Sequence, residues 1–338
     1  MNGLSLPVFV VDPNAKISFM NKAAKLRYVD AKKGQVFSNV ITSTKCNKAL
    51  DNVLNGAPNA TVNITLQEVV PTSFHVSLSR LDSDDDSQPS CVLSFEDVSH
   101  IQEAEQMRHD FVANVSHELR SPLTALSGFV ETMQGAASND PEARHRFLGM
   151  MANEADRMAR LIGDLLSLSR LQAGERVAPT DSVNMYHLLN SVTSSLSGIA
   201  ERSDITLNLD FGDDLPQVIG DSDELTQVFQ NLVENAIKYS ATGSEVRIYR
   251  DTTNGGSSGL RIAVQDAGEG IDPTHIPRLT ERFYRVDKGR SRAQGGTGLG
   301  LAIVKHILIH HRGWLKITSE LGKGSIFTVN LPVVKQKK

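Results

Sequence analysis

The chain has 338 residues, enough for two or three domains, and its 40% hydrophobic and 22% charged residues are those of an ordinary folded chain, not a disordered one. Its 35 basic against 39 acidic residues leave a net charge of -4, which argues against a nucleic-acid partner. The two cysteines, Cys46 and Cys91, lack CxxC spacing; they read as small core residues in a reducing, cytosolic setting and exclude a disulfide framework or a zinc site.

Residues 1–98 mix strand-like runs with helical pieces. Val8–Val11 reads as a strand, Asp12-Pro13-Asn14-Ala15 as a turn, and residues 16–20 as a second strand, with Asn21 able to cap the short helix that follows. Residues 61–66, 73–81 and 90–96 alternate apolar and polar side chains as half-buried strands do, with a polar loop at 82–89. His75, within one of these strands, reads as structural. Strand, turn, strand, helices and a three-strand meander resemble a PAS sensor domain.

A long helix is predicted from Asp97 or Ser99, either of which can serve as N-cap, with Ile101, Ala104, Arg108, Phe111 and Val115 spaced by three and four. At about 100° per residue, Phe111, Val115, Leu119, Leu123, Leu126, Val130 and Met133 share an arc of roughly 120°, and His117 lies about 180° from its middle. His117 therefore points at solvent, and Glu118 follows it directly. Pro122 removes one backbone hydrogen bond from the same helix. Residues 135–139 break the helix, and Asp140 with Pro141 starts another. That helix repeats the stripe through Leu148, Met151, Ala155, Met158, Ile162 and Leu165, and residues 173–175 end it. A hairpin with one apolar face cannot cover that face alone, which predicts a dimeric four-helix bundle; packing on another domain of the chain is the alternative.

From about residue 182 the pattern becomes α/β. Helices are predicted at 185–202, 221–240 and 299–311, and strands at 205–211, 245–251, 260–265, 315–319 and 325–331, with a flexible loop at 252–259. Three clusters there carry chemistry. Asn231, Asn235 and Lys238 lie close to one edge of a helix, where amide oxygens suit Mg²⁺ and the lysine suits a phosphate. Asp266-Ala267-Gly268-Glu269-Gly270 follows a strand and offers a fixed carboxylate to an amino group, its glycines allowing a ligand close to the backbone. Gly295-Gly296-Thr297-Gly298-Leu299-Gly300 opens a helix and supplies backbone N–H donors for phosphate, without the Lys-Ser/Thr of a P-loop. Between the last two lies Glu281-Arg282-Phe283-Tyr284-Arg285-Val286-Asp287, followed by a basic run, residues 288–292, that reads as a lid.

In this order the segments resemble the H, N, G1, F and G2 boxes of sensor histidine kinases over about residues 99–334, most like PhoR-type phosphate-sensor kinases. The resemblance implies a multidomain α+β chain. Residues 1–98 form a PAS-like α/β sensor, 99–176 a dimeric phosphotransfer hairpin, and 177–338 a Bergerat-type α/β sandwich that binds ATP. It implies ATP-dependent phosphorylation of His117 and transfer of the phosphoryl group to an aspartate of a response regulator receiver domain, with phosphate-regulon signalling as one setting. The implied catalytic residues are His117, Glu118, which would fix the His117 tautomer, and Ser121. The implied ATP contacts are Asn231, Asn235, Lys238, Tyr239, Asp266, Gly268, Gly270, Phe283, Arg285, Gly296, Thr297, Gly298, Leu299 and Gly300. Mg²⁺ would sit on Asn235, Asn231 and Glu234. Two positions depart from the family. Ser121 stands where Thr is common, which bears on phosphatase activity towards the regulator, and Thr280 stands where many relatives carry Phe, which would loosen lid docking. Another ATPase of the same nucleotide fold, or a non-catalytic scaffold, are the alternatives. No apolar run approaches the roughly 18 residues needed to span a membrane. The chain therefore reads as cytoplasmic, or as the cytosolic part of an inner-membrane sensor if a transmembrane segment lies outside it.

Overall fold

The computed structural model describes residues 3–67, 71–81, 90–172, 178–212, 215–252, 259–287 and 296–334. The expected loop at 82–89, the helix end at 173–175, most of the 252–259 loop, the basic lid at 288–292 and Gly295 lie outside these residues. The chain divides into two compact units, Met1–Ala113 and Asn114–Lys338.

The first unit contains β1 (Val8–Val11), β2 (Ile17–Met20), α1 (Lys22–Arg27), α2 (Thr44–Leu54), β3 (Asn59–Leu66), β4 (Thr72–Leu81) and β5 (Ser90–Asp97). The strands form one antiparallel sheet in the order β2-β1-β5-β4-β3. Alternation sets its faces: Phe74, Val76 and Leu78 of β4 and Cys91, Leu93 and Phe95 of β5 are buried. They pack with Phe9 and Phe37, whose rings meet edge to face at 5.7 Å. Asn21 is fully buried yet satisfied. Its Oδ1 accepts from Val8 N (3.0 Å) and Ala24 N (2.9 Å), and its Nδ2 donates to Leu6 O (2.8 Å), so one side chain caps α1 and ties it to β1. Burial pushes the Cys46 and Cys91 thiols up to about 12 and about 11. The His75 ring pairs with Asn63 across β3 and β4 at 2.7 Å.

The helix α3 (Ser99–Gln134) carries Pro122 in its interior, and α4 (Pro141–Gln172) starts at Asp140, whose Oδ1 accepts from Ala143 N at 3.0 Å. Leu161 and Leu168 of α4 are buried, but Leu123, Leu148 and Leu166 are more than half exposed.

The remainder holds β6 (Ser182–Val183), α5 (Met185–Arg202), β7 (Thr206–Asp210), β8 (Val218–Ile219), α6 (Ser222–Tyr239), β9 (Glu245–Arg250), β10 (Gly259–Gln265), α7 (Gly300–His310), β11 (Trp314–Glu320) and β12 (Gly324–Pro332). Its main sheet runs β11-β12-β10-β9-β7, antiparallel except for the parallel pair β7/β9. Helices α5, α6 and α7 pack side by side and against it, forming an α/β sandwich. Asn184 and Asp221 cap α5 and α6 through side-chain oxygens. The two-residue pair β6/β8 escaped the sequence reading because such short strands carry no alternation to detect.

Candidate functional site

His117 is exposed, and its ring makes no hydrogen bond among the described residues. Ser121 is exposed one turn further on, so the two share a side of α3. Glu118 turns elsewhere. Its Oε2 accepts from Arg157 Nη2 of α4 at 3.1 Å and from Arg285 Nη2 at 3.3 Å, and its side chain is 14% exposed. The expected hydrogen bond from His117 to Glu118 is thus not formed. Adjacent residues on a helix point about 100° apart and do not face each other.

In the sandwich, α6 carries Asn231, Asn235 and Lys238 along one edge, with Glu234 exposed beside them. Asn231 Nδ2 donates to Gln227 O at 2.9 Å, and its Oδ1 lies 2.6 Å from where a Cβ on Gly300 would sit. Only a glycine allows that oxygen to reach the first turn of α7, so the fold joins the asparagine cluster to the glycine-rich one. The Glu234 carboxylate is within electrostatic reach of Arg160 and Asp164 of α4 and of Lys238. Lys238 Nζ stands 5.0 Å over the half-exposed ring of Tyr239.

Asp266 is 5% exposed and accepts N–H bonds from Gly268 (2.9 Å) and Ser325 (3.1 Å). Burial raises its carboxyl above the usual carboxylate range, opposed by those bonds. The neighbouring glycines make close approaches to the protein's own backbone. A Cβ on Gly268 would sit 2.4 Å from Tyr239 O, and one on Gly270, at φ +74°, would sit 2.1 Å from Glu320 O. In the glycine loop, Gly298 has φ +73° and its carbonyl accepts from Phe283 N at 2.8 Å, which ties the loop to residues 281–287. Phe283 is itself left-handed at φ 61°. Leu299 is fully buried and acts as the core anchor of this loop, while Gly296 and Thr297 are half-buried. Thr280 lies away from the cradle, on a surface cavity of about 320 Å³ shared with Lys305, Ile309 and Trp314, and its hydroxyl accepts from Lys305 Nζ at 3.5 Å.

The sandwich and the hairpin meet through polar contacts. Besides Arg285 on Glu118, Thr297 Oγ1 donates to Asp164 Oδ2 at 2.7 Å, and Gln227 Nε2 donates to Ser167 Oγ at 3.3 Å. Burial raises the Asp164 carboxyl, opposed by the Thr297 bond and by Arg160. The α4 residues in this face, Arg157, Asp164 and Ser167, were missed from sequence. The signal available was polar residues at helical spacing, 157, 160, 164 and 167, beside the apolar stripe.

Residues 107–174 match the His Kinase A (phospho-acceptor) domain, and residues 220–335 match the histidine kinase-, DNA gyrase B- and HSP90-like ATPase family. The chain is 44% identical over 234 residues to the phosphate regulon sensor protein PhoR of Pseudomonas aeruginosa, covering 69% of this chain and 52% of that one. It is 42% identical over 248 residues to the sensor-like histidine kinase SenX3 of Mycolicibacterium smegmatis, covering 73% and 63%. The chain therefore spans between about half and two thirds of the length of these relatives. Histidine kinase ThkA, solved in complex with response regulator protein TrrA, aligns over 99% of this chain and 98% of its own with a TM-score of 0.55 at 20% identity. Histidine kinase AdeS of Acinetobacter baumannii aligns over 64% and 98% with a TM-score of 0.51 at 24% identity. At those identities the two structures speak for the fold alone.

Proposed function

The chain belongs to the sensor histidine kinases, and we propose on that footing that it uses ATP to phosphorylate His117 and passes the phosphoryl group to an aspartate of a response regulator. The observation that carries this reading is the close approach of Asn231 Oδ1 to Gly300 at the start of α7, 2.6 Å from where a Cβ would sit. It supports one nucleotide site built from the asparagine helix and the glycine loop.

In this reading Asp266 accepts a hydrogen bond from the adenine amino group, and the backbone N–H groups at the start of α7 receive the phosphates. Asn231, Asn235 and Glu234 form an all-oxygen set that fits Mg²⁺. When bound, the ion neutralises phosphate charge as the transfer proceeds. His117 offers the lone pair of one ring nitrogen to the γ-phosphorus as the bond to the bridging oxygen breaks and ADP leaves. Its exposure leaves it accessible, and Ser121 on the same side could orient water for hydrolysis of the phosphorylated regulator.

The boundaries we propose are a sensor domain at 1–98, a phosphotransfer hairpin at 99–176 and a catalytic domain at 177–338. The antiparallel order β2-β1-β5-β4-β3, with α1 and α2 inserted after β2, supports a PAS-like sensor. The exposed apolar residues of α3 and α4 support a dimer through the hairpin. Among the described residues no helix is long and apolar enough to cross a membrane. A cytosolic site of action, with or without an anchor elsewhere, is the reading we propose. Phosphate-regulon signalling is the setting suggested by the PhoR relative.

Incubation with γ-labelled ATP and Mg²⁺ tests the kinase reading. Acid-labile label on the parent and none on His117→Gln is the expected result. ATP binding without label on either protein would leave an ATPase or a scaffold instead.

A further inference from the structure

Two residues named above among the implied ATP contacts are bonded to carboxylates of the hairpin. Arg285 Nη2 donates to Glu118 Oε2 at 3.3 Å, and Thr297 Oγ1 donates to Asp164 Oδ2 at 2.7 Å. A carboxylate presents anionic oxygens to a guanidinium or hydroxyl much as a phosphate does. Arg285 is 6% exposed on its side chain, so little of its guanidinium is open to a second anion in this arrangement. Its buried Nε finds no acceptor among the described residues, which leaves the guanidinium incompletely satisfied there.

The hairpin carboxylates are provided with cations of their own. Glu118 also pairs with Arg157 at 3.1 Å, and Arg160 lies close enough to Asp164 to stabilise its charge. Withdrawal of Arg285 and Thr297 therefore strands no unpaired carboxylate, and the large penalty for breaking a buried ion pair is avoided. The contacts are arranged so that they can be exchanged.

We propose that the hairpin docks on the sandwich by offering Glu118 and Asp164 as substitutes for nucleotide phosphates, so that this docked arrangement and ATP compete for Arg285 and Thr297. The proposal rests on the ATP-binding reading above and adds a regulation of that site: nucleotide entry releases the hairpin, and docking of the hairpin expels nucleotide. By linkage, whatever factor docking costs nucleotide affinity, nucleotide costs docking.

The test is titration calorimetry of the whole chain with a non-hydrolysable ATP analogue and Mg²⁺, comparing the parent with Asp164→Ala and Asp164→Asn. Removing the competing carboxylate should tighten binding roughly fivefold to tenfold in the alanine variant, with the asparagine variant between it and the parent. Should the alanine variant fail to fold, as judged by circular dichroism, the asparagine variant decides alone. Equal or weaker binding in the folded variants overturns the competition while leaving the ATP site intact. No binding to any of the proteins overturns the ATP-site reading and the proposal with it. A purely structural role for Asp164 would weaken binding, the opposite of what competition requires.

Discussion

His311 follows α7 with both ring nitrogens engaged. Its Nδ1 donates to Ile307 O at 2.8 Å, and its Nε2 accepts from Asp221 N at 2.9 Å, the residue that caps α6. Only the neutral ring can both donate and accept in this way. Burial is the main cause that lowers its pKa, and His306 is lowered by burial with help from Arg282 and Lys305. A depressed histidine binds its proton more readily in the unfolded chain. Stability is therefore full above about pH 6.5 and declines as the pH falls below that value. We expect the thermal midpoint of the sandwich to be lower at pH 5.5 than at pH 7.5, and the difference to shrink in His311→Gln. An unchanged pH dependence in that variant would show that His311 is not responsible. The nearby Glu224, His310 and His311 could be mistaken for a metal cluster, but the two bonds of His311 leave it no free lone pair.

Elements with strong periodicity were legible from sequence. The spacing predicted α5, α6, the break between α3 and α4, and the strands β11 and β12, because capping and alternation are local properties. Contacts between distant segments were not. Sequence showed no sign that the backbone of Tyr239 and Glu320 packs closely beside Gly268 and Gly270. Likewise, nothing near Glu118 in sequence reveals Arg157 or Arg285 as its partners. The Gly270 result carries a prediction at this scale. Gly270→Ala adds a methyl in left-handed backbone and 2.1 Å from a carbonyl oxygen of β11. It should destabilise the sandwich by about 2–4 kcal/mol, read as a lower denaturant midpoint. Wild-type stability in that variant would mean the close approach of Gly270 to Glu320 is dispensable.

At the scale of the whole molecule, the hairpin leaves apolar side chains uncovered, with Leu123 and Leu166 at 57% and 56% exposure. Such a face is expected to close against a second copy. Sedimentation should give twice the chain mass, and the paired substitution Leu123→Asp with Leu166→Asp should give the monomer. A monomeric parent at micromolar concentration would refute the bundle. The first unit holds a feature of another kind. β5 lies in the middle of its sheet, bonded to β1 on one side and β4 on the other, and only Val98 separates it from α3. That junction is fastened twice to Ser73 of β4, which accepts from Val98 N at 2.9 Å and donates its own N–H to Ser99 Oγ at 2.9 Å. A pull along the first turns of α3 must shear two hydrogen-bonded ladders at once, where an edge strand would peel away one bond at a time. The strand and the start of the helix thus behave as a stiff rod anchored in the sheet, and a twist of the sheet is delivered to the helix without slack.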